Sequence, residues 1–278
     1  MNTIEFTLAL GVGSLVAGFL GALTGLGGGV VIVPLLVLGF GVDIRYAIGA
    51  SLVSVIATSS GAAAAYVREG YSNVRVGMFL EIATTVGALS GALIAPFVPP
   101  NGLAVVFGLV LLYSAYLSSH RHDHADGDLA PDRWATKLRL DSTYPTAGGL
   151  QAYRVQHVPA GFGLMYGAGV LSGLLGIGSG AVKVLAMDQA MRLPFKVSTT
   201  TSNFMIGVTA AASAGIYLHR GYVDPGLALP VVLGVLLGSM QGARVLATAN
   251  PSRLRLVFTW VIVALAFEML FNGLTGRL

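Results

Sequence analysis

Ten apolar runs, five on each side of one polar stretch, restrict this chain more than any other feature of its sequence. The first set is Ile4–Leu23, Val30–Phe40, Ala47–Tyr66, Val76–Val98 and Leu103–Ser118. The second is Ala160–Leu175, Ala181–Met191, Val197–Leu218, Leu227–Ala247 and Leu254–Phe271. A helix that crosses a bilayer needs about 20 mostly apolar residues. The second run of each set has only 11, and each follows a glycine cluster, Gly25-Leu-Gly-Gly-Gly29 or Gly176-Ile-Gly-Ser-Gly180. The first two runs of each set therefore read as a helical hairpin or a broken helix whose entry and exit lie on one side.

Composition agrees. Charged residues are 10% of the 278 and hydrophobic ones 55%, whereas a soluble domain carries about 25% and about 45–50%. Too little polar surface remains to coat a water-facing globule, which excludes a soluble enzyme, a disordered protein and a nucleic-acid binder. The net charge of +4 comes from basic residues placed between apolar runs, where they set orientation. Cysteine is absent, so disulfides and thiolate chemistry are excluded. The N-terminus has no basic n-region and is read as structure, not as a signal peptide.

The chain repeats itself. An offset of 151 residues brings Gly18 onto Gly169, Gly25 onto Gly176, Gly27 onto Gly178, Gly29 onto Gly180, Ser51 onto Ser202, Tyr66 onto Tyr217 and Gly87/Gly91 onto Gly238/Gly242, without a gap. A unit of about a hundred residues is the size of a duplicated transporter half. The basic residues orient the halves. If each half has odd parity, one face collects twelve Lys/Arg and the other only Arg45, Arg220 and Arg277, with Lys183 inside the membrane. Even parity gives nine to six. The positive-inside rule selects odd parity, which predicts inverted repeats, a cytoplasmic central stretch and both termini outside.

Irregular backbone at membrane depth requires protein burial or water. The first N–H groups after each glycine break lack intrahelical acceptors and sit at the positive end of a helix dipole, which favours an anion. The expected substrate-binding set is Thr24, Gly27, Gly28 and Gly29 with Gly178, Ser179 and Gly180, near the midplane where the repeats meet. Ser51 and the polar run Thr200, Thr201, Ser202 and Asn203 add hydroxyls and an amide that replace water around an oxyanion. Lys183, three residues past Gly180, supplies positive charge, and an ionisable residue inside a membrane is a functional candidate. Asp188 is its nearest partner in sequence, and Glu81, Asp188 and Glu268 are the candidate proton carriers. The G-x-x-x-G pairs Gly87/Gly91, Gly169/Gly173 and Gly238/Gly242 read as close helix packing. The stretch His120-Arg-His-Asp-His124 reads as a solvated loop, and no metal site is expected.

Three stretches carry a family resemblance: Gly21-Ala-Leu-Thr-Gly-Leu-Gly-Gly-Gly29 with Pro34, Ser172-Gly-Leu-Leu-Gly-Ile-Gly-Ser-Gly180, and Lys196-Val-Ser-Thr-Thr-Thr-Ser-Asn203. They resemble the TauE/SafE sulfite-exporter family of integral-membrane anion permeases, and the similarity covers nearly all of the chain outside 119–158. The resemblance implies transport of small sulfur-containing anions such as sulfite or organosulfonates. Ser179 stands where the family's second motif often has glycine, and Lys183 and Leu185 replace an apolar residue and a proline; both departures bear on which anion is preferred.

The resulting expectation is an all-α polytopic membrane protein of two inverted-topology repeats, 1–118 and 160–278, joined by a cytoplasmic polar linker, 119–159. Each repeat is a glycine-broken hairpin plus three transmembrane helices. It exports a small sulfur oxyanion by alternating access, or conducts one as a channel or uniporter through the same site. No cofactor, enzyme activity or nucleic-acid partner is expected. The partners are the anion and the lipid of a bacterial inner membrane, and a homodimer is compatible with the pattern.

Overall fold

A computed structural model describes residues 2–24, 28–68, 71–119, 132–146, 149–248 and 251–277. All ten apolar runs are helical. The elements are α1 (Thr3–Thr24), α2 (Gly29–Pro34), α3 (Ile44–Arg68), α4 (Val74–Ile94), α5 (Pro100–Ser119), α6 (Arg133–Leu138), β1 (Ser142–Thr146), β2 (Gly149–Tyr153), α7 (Val158–Leu175), α8 (Gly180–Leu185), α9 (Phe195–His219), α10 (Pro225–Thr248) and α11 (Pro251–Thr275).

The short helices behave alike in the two halves. Each has six residues and runs on through a five-residue π-helical turn, Leu35–Gly39 after α2 and Ala186–Ala190 after α8. At 1.5 Å per residue, eleven residues span roughly 16 Å, about half the hydrocarbon thickness.

Helix packing is governed by glycine. A Cβ on Gly87 or Gly91 would strike the carbonyl of Tyr166 or Val170, and one on Gly169 or Gly173 would strike the carbonyl of Thr84 or Ala88. So α4 and α7 lie parallel with their backbones in contact, as small residues allow in membranes. The same joint recurs between α1 and α10, where Gly18 meets Val235 and Gly238 meets the Leu15 carbonyl. These contacts are the α4–α7 ones moved by the 151-residue offset. Each parallel pair takes one helix from each half.

Equivalent helices meet head to tail. Gly49 at the start of α3 lies against the carbonyl of Tyr222, just past the end of α9. Thr200 near the start of α9 donates to the Tyr71 carbonyl, just past α3, at 3.1 Å. The helices α5 and α11 also run antiparallel, with Gly273 against Asn101 and Gly108 against Leu270.

The outward side of the bundle is apolar. Met78, Ile82, Val86 and Leu89 form an exposed stripe on α4, and Leu229, Leu233, Leu237 and Met240 form its offset-matched twin on α10. Such stripes suit lipid, and helices including Val74–Phe97 and Pro225–Gly242 are long and apolar enough to cross a membrane.

Part of the polar stretch is folded. Asp132 caps α6 by accepting from the N–H groups of Trp134 and Ala135. The strands β1 and β2 pair antiparallel, Ser142 opposite Tyr153 and Thr146 opposite Gly149. Ala135, Leu140 and Val155 join the buried cluster formed by the adjoining ends of α4, α7 and α9. Asn73 ties this unit down: its side-chain amide donates to the Leu140 carbonyl at 2.9 Å and to Tyr153 Oη at 2.8 Å. The basic residues divide between the two ends of the bundle. Arg75 donates to the Arg139 carbonyl at the folded-linker end. At the far end, Arg45 reaches the carbonyls of Pro96 and Val98, and Arg220 reaches those of Ala92 and Leu93.

Candidate functional site

The two glycine breaks lie against each other. In the second half, Gly176 closes α7 with φ +68°, and Gly178 (+68°) and Ser179 (+45°) continue in the left-handed region before α8 begins. Glycine adopts these angles freely, whereas serine does so at a cost. Ser179 is held there because its Oγ donates to the Ala168 carbonyl at 2.6 Å. In the first half, α2 starts at Gly29, and the Gly28 carbonyl accepts from the N–H groups of Val31 and Ile32. Gly25, Gly27 and the His120–His124 stretch lie outside the described residues, as does the Thr24 side chain.

Ser51 joins the breaks. Its Oγ donates to the Gly176 carbonyl at 2.8 Å. A Cβ on Gly29 would lie 2.8 Å from Ser51 Oγ, 2.9 Å from Val55 Cγ2 and 3.0 Å from the Gly176 oxygen. A Cβ on Gly178 would lie 2.9 Å from Ile206 and 3.3 Å from the same Val55. A methyl does not fit at Gly29, so an oxyanion does not fit there in this conformation.

Three hydroxyls of the polar run opening α9 are engaged in hydrogen bonds. The Asn73 N–H donates to Thr201 Oγ1 at 3.0 Å, Thr200 Oγ1 reaches the Tyr71 carbonyl, and Ser202 Oγ donates to the Gly180 carbonyl at 3.3 Å. These bonds anchor α9 to the segment before α4 and to the second break. Asn203 is half-buried. Glu268 is exposed on α11, and it is not brought to this region. Asp188 is buried in the π-helical turn after α8.

The charged centre is elsewhere. Lys183, fully buried on α8, donates from Nζ to Thr209 Oγ1 of α9 at 2.6 Å. Thr209 Oγ1 lies 2.7 Å from Glu81 Oε1 of α4. Thr85, one turn beyond Glu81, donates to the same Oε1 at 3.2 Å. Glu81 Oε2 is buried and has no hydrogen-bond partner among the described residues. An ammonium and a carboxylate from different halves are thus bridged by one hydroxyl. Sequence separation pointed to Asp188 as the partner of Lys183, whereas the carboxylate across Thr209 is Glu81. Thr209 was not singled out in the sequence. The signal available was its offset match to Thr58, a second hydroxyl on the equivalent helix.

Broken, glycine-packed apolar helices around a buried Lys183–Thr209–Glu81 cluster suit a membrane transporter, the class to which comparison with known proteins assigns the chain. The family model described as "Sulfite exporter TauE/SafE" matches residues 10–269, and the chain belongs to that family. It is 28% identical over 268 residues to "Probable membrane transporter protein YunE" of Bacillus subtilis, covering 94% of this chain and 96% of that protein. It is 29% identical over 231 residues to "Probable membrane transporter protein YdhB" of the same organism, covering 83% and 84%. A protein of Methanocaldococcus jannaschii, "Probable membrane transporter protein MJ0441", is 25% identical over 270 residues, covering 92% of each chain. No solved structure matches the chain significantly.

Proposed function

We propose that this transporter exports a small sulfur-containing oxyanion, of the sulfite or organosulfonate class, across the bacterial inner membrane by alternating access. The observation that carries the reading is Lys183: a fully buried cation three residues past the second glycine break, in a chain of the sulfite-exporter family. A buried cation needs a counter-charge, and an arriving anion meets that need beside the start of α8. The substrate set then centres on Lys183, with Gly178, Ser179 and Gly180 on its own break and Gly28, Gly29 and Ser51 opposite.

The close seating of Gly29 on Gly176 suits an occluded state and argues for alternating access over an open pore. The head-to-tail meeting of α3 with α9 and of α5 with α11 supports two inverted repeats. The placement of Arg45 and Arg220 at one end, away from Arg75 and Arg139, supports a cytoplasmic linker and outside termini under the positive-inside rule. Movement of one repeat against the other would part the breaks and admit the anion to Lys183.

The test is a thermal-shift screen of purified protein against sulfite, sulfate, thiosulfate, sulfoacetate, taurine and inorganic phosphate. A sulfur oxyanion should raise the Tm of the wild type. Lys183→Met, which keeps the length of the side chain, should weaken that binding at least several-fold. A panel without effect, or a Lys183→Met protein that binds like the wild type, refutes the reading.

A further inference from the structure

We propose that Glu81 carries one proton for each anion moved, because the anion and the Glu81 carboxylate compete to balance the same buried charge on Lys183. The proposal rests on the reading of Lys183 as the anion site. In the present arrangement Lys183 is balanced by Glu81 through Thr209. When an anion arrives at the ammonium, a carboxylate that stayed ionised would leave a net negative charge in a dry site, which is strongly unfavourable. Proton uptake by Glu81 removes that charge. The balance is simple: one carboxylate plus one proton gives one carboxylic acid, the anion and the ammonium are unchanged, and the cluster stays neutral with a monoanion and carries one negative charge, not two, with a dianion.

The geometry contains the parts for both states. The Thr209 hydroxyl has one hydrogen and two acceptors in reach, Glu81 Oε1 at 2.7 Å and the Met205 carbonyl of its own helix at 2.9 Å. With Glu81 ionised, the hydroxyl donates to the carboxylate and accepts from Lys183. With Glu81 protonated, it turns to Met205 and still accepts from Lys183. Glu81 Oε2, buried and without a hydrogen-bond partner among the described residues, is the oxygen to which the proton adds.

The groups around Glu81 leave it no other charge partner among the described residues. On α8 the ammonium of Lys183 is the charge that acts on it. On α9, Lys196 lies over the Tyr71 ring at 3.7 Å, and it is thirteen residues or ~20 Å along the helix from Thr209. Tyr217, whose hydroxyl donates to the Gly173 carbonyl, and His219 lie ~12 and ~15 Å the other way. On α7 the titratable side chain is Tyr166, level with Gly87 and bonded to Ser90. Asp188 lies five residues beyond Lys183 in the turn after α8. The first half has no equivalent cluster, since the offset puts Ile32 and Val232 where Lys183 and Glu81 would stand.

Coupling of this kind makes direction depend on substrate charge. A monoanion moves with its proton without net charge, so an inward proton gradient opposes its export tenfold per pH unit, and its export runs only down a larger outward concentration gradient of the anion itself. A dianion moves one net negative charge, which 100 mV of inside-negative potential favours outward by about 50-fold.

The experiment uses purified protein in liposomes holding a pH-sensitive dye, with [35S]thiosulfate, a strong-acid dianion near neutral pH, and [35S]sulfite as the second probe. For the wild type, each thiosulfate should carry one proton with it, and binding measured by calorimetry in buffers of different ionisation enthalpy should take up about one proton per anion. Glu81→Gln should retain binding and thiosulfate–thiosulfate exchange, take up no proton, and lose the tenfold-per-unit pH dependence of affinity on the alkaline side. Wild-type flux without proton movement, or Glu81→Gln with the wild-type pH dependence, overturns the coupling and leaves the anion site standing. Failure of the wild type to bind or exchange either probe overturns the anion reading and the coupling with it.

Discussion

Replacing Thr209 by valine removes one hydroxyl while leaving the branched shape in place. Two contacts disappear together: the 2.6 Å bond from Lys183 Nζ and the 2.7 Å bond to Glu81 Oε1. Hydrogen bonds to charged groups contribute about 1.5–3 kcal/mol each. Glu81 Oε1 keeps its bond from Thr85, so the loss on that side is partial, and the whole change should cost about 2–4 kcal/mol. For a chain of this length that is a fall in Tm of roughly 5–15 °C. The assay is thermal unfolding in detergent, run as a cycle against the double variant Glu81→Gln, Lys183→Met. In that background the hydroxyl no longer bridges two ions, and its removal should cost about 1 kcal/mol or less. Equal Tm losses in the two backgrounds would refute the bridged pair.

Gly176→Ala forces a Cβ to 2.7 Å from Ile48 Cγ2 at a φ of +68°, and should cost about 2–4 kcal/mol, whereas Gly163→Ala in α7, with no atom of the described residues within 4 Å of the added Cβ, should stay within about 1 kcal/mol of the wild type; Tm comparison checks both. Ser51→Ala leaves the buried Gly176 carbonyl without its hydroxyl donor, and a milder loss of about 1–3 kcal/mol is expected in the same assay. Asn73→Ala removes two bonds to the folded linker and the cap on Val76 N; limited proteolysis should then cleave within 132–155 at least several-fold faster, while α3 and α9 stay protected.

The helical architecture was legible because lipid demands it. Long apolar runs, two eleven-residue runs after glycine clusters and the 151-residue offset are each local or periodic signals, and each has its counterpart in a helix or a backbone joint. The linker unit was not legible. Its strands carry Pro145 and mostly polar residues, and they are held by Asn73 from before α4 and by Asp141, whose carboxylate accepts from Val155 N. Such long-range bonds leave no period in the sequence. The polar run Thr200–Asn203 was visible, but hydroxyls that coordinate an anion and hydroxyls that tie down a loop look the same as letters. Thr200, Thr201 and Ser202 bond to Tyr71, Asn73 and Gly180 in this conformation. Lys183 stood out through its charge alone, but its partner lies in the other half, and only the packing of α4, α8 and α9 brings Glu81 to it.

The parallel joints have a consequence for how the chain is made. The first helix, α1, finds its backbone partner in α10, which leaves the ribosome some two hundred residues later. Until then α1 must rest in lipid with Gly11 and Gly18 uncovered, or be sheltered by the insertion machinery. The two halves therefore cannot mature one after the other. Severed between α5 and α7 and synthesised apart, each would lack the strand of backbone it locks onto, and only co-synthesis of the pieces should restore a protease-resistant bundle.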